Sequence, residues 1–415
     1  MPRFEPFRAI RYAASLDLTD VVAPPYDVLS CEQVEALASR HPANIVHVDV
    51  PSGDDDRYRR SAETLSDWVN RGIMVIDDEP SFTIYRMSFT DATGTQRLIS
   101  GVFGGLEVVD QDAGGVLPHE RTTPKAKTDR LDLTRATGTN TSAVWGLSLA
   151  SGLTEALAEP GEEIGRVCID GVEHWVERVT DPSRIAAISR IVSSDDVLIA
   201  DGHHRYAISR TYRDEVRDGA GDGGEAELVL TFVNELIADQ LSIEAIHRIY
   251  DGLSFDVLMD ALSESFEVSP LGRPSADLDG SVLAEMEQSG RLVALSPHGD
   301  AWWLMPIAER FEGVRNLDGA YLEHALRDVD YEVTYQHGLA EMVAEVPNHG
   351  GGVLIRPTGI DEIMRTGRER LLMPPKSTFF TPKLLTGWVI RPTNPLPDAK
   401  QAVTQDRLDL IDKAK

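Results

Sequence analysis

Lysine is nearly missing from this chain. Of its 40 basic residues only seven are lysine, and three of those (Lys400, Lys413 and Lys415) stand at the C-terminal end. The other four fall in two places, Lys125 with Lys127 and Lys376 with Lys383. Where arginine serves nearly everywhere, a lysine suggests that a compact, flexible point charge was wanted, so both segments become candidate sites. Cysteine is scarcer still. Cys31 and Cys168 lie far apart without C-x-x-C spacing, which predicts buried, reduced thiols in a cytoplasmic protein. No apolar run approaches the length of a membrane span. The first residues, Met1-Pro2-Arg3-Phe4-Glu5-Pro6-Phe7-Arg8, are charged and broken by proline, unlike a secretory signal. Basic runs of five or more are missing too, while a net charge of −28 is spread along the chain. Such a surface repels nucleic acid and anionic membrane. The expected partners are therefore a small-molecule substrate and its co-substrate, not nucleic acid or membrane.

What is present concentrates at Val197-Leu198-Ile199-Ala200-Asp201-Gly202-His203-His204-Arg205-Tyr206, where a short apolar run gives way to an acid, a glycine, two histidines and an arginine. The pattern predicts a strand that hands over to a helix N-terminus. Such a corner binds anions, because first-turn N–H groups are unpaired, the helix dipole is positive there, and glycine admits close approach of the backbone. Arg205 adds a planar fork suited to phosphate, and His203 and His204 add donors that titrate near neutrality.

Four loops join this corner as candidates. Leu117 to Arg130 follows an apparent strand and a glycine turn at Gly114-Gly115, and it presents His119 and Glu120 at its mouth, then Lys127 and Arg130. Thr128 and Asp129 are placed to cap a helix beginning near Leu131. Met373 to Lys383 is proline-stiffened and offers Lys376, Ser377 and Thr378 as an anion clamp; it lacks the glycines of a Walker loop. Val21 to Val28 carries two prolines after a strand and presents Tyr26 and Asp27. Tyr335-Gln336-His337-Gly338 sets His337 at another strand-to-helix corner.

The periodicities predict an α/β or α+β protein. Ile45–Val50, Phe82–Phe89, Leu98–Val109, Val144–Leu149, Val197–Ala200 and Leu228–Val233 read as extended, and Tyr58–Arg71 as a helix with Leu65 and Trp68 inward. Beyond Ser242 the pattern is helix and hairpin: Phe255–Phe266, Ser281–Gln288, Leu317–Leu326 and Gly359–Leu371 helical, Leu292–Leu295 paired with Trp302–Met305, and Gly387–Ile390 extended. The expected organisation is a mixed-sheet catalytic domain over 1–240, a smaller α+β domain over 241–392 that completes the site, and a loosely packed tail over 393–415.

The same residues carry a resemblance. Pro24-Pro25-Tyr26-Asp27-Val28, His119-Glu120-x-Thr122, Lys127-x-Asp129-Arg130, Ala200-Asp201-Gly202-His203-His204-Arg205-Tyr206, Tyr335-x-His337-Gly338 and Met373-Pro374-Pro375-Lys376-Ser377-Thr378 occur in this order in the domain-of-unknown-function family 1015, which the chain resembles from Phe7 to Arg391. More distantly, the Asp-Gly-His-His-Arg element is similar to nucleotide-contacting elements of the ParB and sulfiredoxin superfamily, whose free L-serine kinases carry an Asp-Gly-His-containing motif. The resemblance implies a ParB/sulfiredoxin-like core and a phosphate site at Gly202, His203, His204 and Arg205.

Three functional readings follow. The favoured one is a phosphotransferase acting on a small hydroxylated metabolite, foremost free L-serine. Arg205, His204, Lys127, Arg130, Lys376, Ser377 and Thr378 would hold phosphate, and Tyr26, Asp27 and His337 would contact substrate. Glu120 or Asp201 would take the hydroxyl proton, with His119 and His204 as further catalytic groups. Mg²⁺ would sit on Asp201 or Glu120, and the donor would be ATP, ADP or pyrophosphate. The second reading is a metal-dependent hydrolase using Asp201, His203, His204, His119 and Glu120 as ligands; the surrounding cations weigh against it. The third is a ParB-like nucleotide-binding regulator acting on DNA, disfavoured by the acidic balance.

Overall fold

The structure is a computed structural model that describes residues 1–91, 94–111, 113–118, 127–374 and 376–394, with the backbone alone described at Lys127 and Thr128. A nine-stranded mixed sheet holds the first part of the chain together. Its order runs Val116–Leu117, Val197–Asp201, Val144–Ser148, Leu228–Glu235, Gln96–Glu107, Phe82–Thr90, Val172–Val179, Glu162–Ile169, with Phe4–Glu5 pairing beside Gln96–Glu107. Two of its pairings are parallel, Val197–Asp201 with Val116–Leu117 and Leu228–Glu235 with Val144–Ser148; the rest are antiparallel.

The strands alternate faces with period two, and both faces are buried. Phe82 and Ile84 pack with Ile188, Val192 and Tyr206 under the helices Pro182–Val192 and His203–Ala220. Tyr85 and Met87 point to the other face, where Trp145 and Phe232 meet Phe380, Leu384, Leu385 and Trp388 from the end of the chain. Close packing demands glycine in the strand Gln96–Glu107: a Cβ on Gly104 would lie 2.4 Å from the Phe4 ring and one on Gly101 2.3 Å from the Phe232 ring.

A second sheet is built from residues 246–354. It has six antiparallel strands in the order Phe266–Pro270, Ala301–Pro306, Leu292–Leu295, Gly351–Leu354, Ile246–Asp251, Glu332–His337. The chain then returns to pack against the first sheet and forms two separate two-stranded pairings. Phe379–Thr381 pairs with Ser242–Glu244, and Arg391–Pro392 pairs with Thr139–Asn140. The expected pairing of Leu292–Leu295 with Trp302–Met305 is present, with Ala294 opposite Trp302.

Several local expectations are corrected. Residues 45–50 are not extended: Val46–Asp49 is a short helix, whose first N–H is taken by the Asn44 side chain at 3.1 Å while Val46 and Val48 are buried in a core with Leu65 and Trp68. β-Branching disfavours helix only weakly, and burial against the helix Arg57–Asn70 overrides it. Ahead of Pro24 the chain forms the helix Leu18–Val21, capped by Asp17, rather than a strand. The helix placed near Leu131 begins at Lys127, so Thr128 and Asp129 are inside it rather than capping it. The helix Phe255–Ser263 stops short of Phe266, which opens a strand. Residues 387–390 make a single isolated bridge, Ile390 with Ile10, and the strand is delayed to Arg391. Both cysteines are exposed instead of buried: Cys31 opens the helix Cys31–Arg40, and Cys168 points outward from a strand at the end of the sheet. Of the tail, Thr393 is buried and donates its N–H to Gly138 O at 2.8 Å, whereas residues 395–415 lie outside the described ones.

Candidate functional site

The strand Val197–Asp201 ends at Gly202, whose φ of 85° turns the chain into the helix His203–Ala220. The left-handed region costs an L-residue with a Cβ roughly 1–2 kcal/mol, and here space is short as well. A Cβ at Gly202 would stand 3.1 Å from Arg205 Cζ and Nε and 3.3 Å from Val144 Cα. The glycine lets Arg205 fold back along the helix start.

Arg205 is 8% exposed and reaches three acceptors. Its Nη1 donates to Ala143 O, and its Nη2 donates to Asp201 Oδ2 at 2.8 Å and to Asp27 Oδ2 at 3.4 Å. Lys383 approaches the other oxygen of Asp201, Nζ to Oδ1 3.7 Å. Burial opposes ionisation of Asp201, yet Lys383, Arg205, His203 and Lys376 together outweigh it and hold its carboxyl well below the usual carboxylate range. Burial likewise opposes charge on Arg205, but Asp27, Asp201, Tyr26 and Asp49 raise its pKa further. Both groups stay charged at any physiological pH.

Arg130 forms the next wall. Its guanidinium lies 3.7 Å from the centre of the Tyr26 ring, with Arg205 6.0 Å from the same centre. Its Nη1 donates to Asp49 Oδ1 at 3.1 Å. Asp49 Oδ1 also accepts from Thr141 Oγ1 at 2.6 Å and Ser142 Oγ at 2.7 Å. A small cavity of 30 Å³ lies between the helices Lys127–Thr137 and His203–Ala220, with Arg130, Thr141, Ser142 and Arg205 in its lining. Among the described residues, neither Arg130 Nε nor Arg205 Nε finds a hydrogen-bond acceptor. The buried Arg205 Nε–H suits an anion or water, because an unmet buried donor costs about 1–3 kcal/mol, whereas Arg130 Nε faces Asp129 Oδ2 at 3.4 Å.

The C-terminal loop supplies the remaining cations. Lys376 adopts φ 57°, left-handed for a non-glycine residue, and its carbonyl accepts from Arg248 Nη2 at 3.2 Å. Ser377 and Thr378 are buried, and Ser377 Oγ donates to Pro374 O at 2.8 Å while its carbonyl accepts from Thr358 Oγ1 at 2.8 Å. Ser377 thus braces the loop that carries Lys376. His337 stacks on Phe379 with ring centres 4.5 Å apart, and Lys383 Nζ sits 4.1 Å from the same Phe379 centre. Through that ring His337 is joined to Lys383 and so to Asp201.

The structure therefore gathers Tyr26, Asp27, Arg130, Asp201, Gly202, His203, Arg205 and Lys376 about one strand-to-helix corner, with His204 on the first turn of the same helix and His337 at its margin. His119 and Glu120 lie outside the described residues, as does the side chain of Lys127. Sequence reasoning assigned no role to Asp49, Lys383 or Phe379. The scarcity of lysine pointed to Lys383, but the alternating residues around Asp49 read as a strand, and no motif marks it.

A divalent cation fits Asp201 poorly. Its carboxylate already serves Arg205 and Lys383, and the Asp27 carboxylate beside it is paired with the same Arg205 Nη2. Among the described residues no group of three His, Cys, Asp or Glu is placed to hold a metal ion.

The family model described as "Protein of unknown function (DUF1015)" matches residues 4–320. The chain belongs to this family. Of the six ordered motifs quoted above for DUF1015, those at Tyr26, Arg130, Asp201 and Lys376 meet at the corner just described. No curated protein matches the chain. Among solved structures, a free serine kinase variant in complex with AMP is similar at a TM-score of 0.37 and 12% identity, over 68% of this chain and 88% of that one. A conserved hypothetical protein from Pyrococcus furiosus is similar at 0.36 and 12%, over 68% and 90% of the two chains. SbnI with C-terminal truncation from Staphylococcus aureus is similar at 0.37 and 11%, over 75% and 97%. Among the described residues no helix is long and apolar enough to cross a membrane.

Proposed function

We propose that this DUF1015 protein is a phosphotransferase that passes the terminal phosphoryl group of ATP, ADP or pyrophosphate to the hydroxyl of a small metabolite, foremost free L-serine, giving O-phosphoserine. The observation that carries the reading is the convergence of Arg205, Arg130, Lys383 and Lys376, drawn from three distant segments, on one glycine corner at the start of a helix. Phosphoryl transfer asks for positioning and neutralisation of charge more than for covalent chemistry, and such a set supplies both. Residues 1–240 would carry most of the machinery, and residues 241–392 would complete it with Lys376, Lys383 and His337.

In this reading Arg205 and the first-turn N–H groups of its helix hold the donor phosphates, with His203 and His204 as further donors. Lys376 and Lys383 neutralise charge that develops during transfer. Tyr26, Asp27 and His337 line the acceptor side. Asp201 is a poor general base, because a base works best with a pKa near the working pH and this carboxyl is held far below it. Asp201 instead orients Arg205 and Lys383, and the hydroxyl proton passes to Glu120, with His119 beside it. Incubating the purified protein with L-serine and each donor in turn, and following O-phosphoserine by mass spectrometry, tests the proposal. Product with one donor supports it; none with any donor across a panel of hydroxylated metabolites overturns it.

A further inference from the structure

We propose that Asp49 is a positioning residue that holds Arg205 in place from outside the site. This rests on the phosphate-binding reading only for its consequence, not for its geometry. Asp49 is 1% exposed and ends a four-residue helix, remote in sequence from every group it grips. Its Oδ1 takes hydrogen bonds from Thr141, Ser142 and Arg130 at once. The residue after Ser142 is Ala143, whose carbonyl accepts from Arg205 Nη1. The segment 141–143 is thus clamped between the Asp49 carboxylate on one side and the Arg205 guanidinium on the other. Asp49 has a second hold, because it fixes Arg130 against the Tyr26 ring, and that ring also faces Arg205. A guanidinium has many rotamers, and a carbonyl acceptor defines one of them only if the carbonyl itself is fixed. Side chains locked by an outer layer of hydrogen bonds keep binding groups in productive geometry.

The buried carboxylate makes contacts of two kinds, and substitutions separate them. Asp49→Asn keeps an oxygen for the Thr141 and Ser142 hydroxyls but removes the charge that holds Arg130. Asp49→Ala removes all three contacts. Ser142→Ala removes one hydroxyl at a half-buried position and leaves the carboxylate in place. Two measurements are made on each full-length variant: a crystal structure, read for the position of the Arg205 guanidinium, and pyrophosphate affinity by calorimetry. The expected result is a displaced Arg205 in Asp49→Ala with affinity at least tenfold below wild type, a smaller loss in Asp49→Asn, and a loss in the same direction in Ser142→Ala. If Asp49→Ala fails to fold, the other two carry the test. Arg205 unmoved in these variants, with pyrophosphate affinity within twofold of wild type, overturns the proposal. If wild type binds none of pyrophosphate, ADP and ATP while Arg205 still moves on substitution, positioning by Asp49 stands and the phosphate reading falls.

Discussion

Replacing Gly202 by alanine perturbs backbone and site at one point. The residue sits at φ 85°, where an added Cβ costs roughly 1–2 kcal/mol from local sterics alone. The new methyl would also meet Arg205 Cζ and Nε at 3.1 Å and Val144 Cα at 3.3 Å. The strand carrying Val144 is buried and cannot retreat, so the guanidinium must give way. With unfolding of large domains shifting by roughly 2–4 °C per kcal/mol, the melting temperature should fall by about 2–8 °C. If Arg205 binds phosphate as proposed, displacing it removes a charged hydrogen bond worth roughly 1.5–3 kcal/mol, which is about a ten- to hundredfold loss of affinity. Thermal unfolding followed by circular dichroism and calorimetric titration with pyrophosphate read the two effects separately. Gly219→Ala is the control: it lies in the same helix with nothing within 4 Å of an added Cβ and no positive φ, so it should stabilise slightly and leave affinity alone. A Gly202→Ala protein with wild-type melting and wild-type affinity would refute the reasoning about this corner.

Arg205→Lys keeps the charge but not the fork that reaches Ala143, Asp27 and Asp201 together; apparent donor KM should rise about tenfold or more and the melting temperature should fall, and an unchanged pair of values would remove Arg205 from the site. Asp201 has a folded pKa below its ordinary value, so its contribution to stability is fully present above about pH 4 and fades as the pH drops further. The gap in melting temperature between wild type and Asp201→Asn should therefore narrow from pH 7 to pH 3, whereas a constant gap would contradict the ion-pair account. Glu120→Gln should cut turnover about a hundredfold with donor affinity little changed. Retained turnover in that variant would remove Glu120 as the proton acceptor.

The strand-to-helix corner was legible because its signals are local: an apolar run, then a glycine, then polar residues on a helical stretch. Lys376 and Lys383 were legible for a compositional reason, and both act on Asp201, which lies more than 170 positions away. Asp49 was not legible. Its neighbours His47, Val48 and Val50 alternate like a strand, and only packing against Leu65 and Trp68 makes that stretch helical. The hairpin of the first sheet carries a clear local signal. Asp170-Gly171 joins the strands Glu162–Ile169 and Val172–Val179, and an Asp-Gly pair between such runs is a strong hairpin sign. The error at residues 387–390 has a different cause. Apolar Trp388, Val389 and Ile390 are buried in the core, and burial alone does not tell a strand from an irregular segment that fills the same space.

Transfer of a phosphoryl group at the Asp201–Arg205 corner is the reaction proposed for this protein. The most direct measurement is donor-dependent formation of O-phosphoserine from isotopically labelled L-serine by the wild-type protein, run beside the Arg205→Lys and Glu120→Gln variants. The account predicts product with at least one of ATP, ADP or pyrophosphate, reduced in both variants. No phosphorylated product with any of the three donors, from a folded protein supplied with serine and a panel of hydroxylated metabolites, would contradict it.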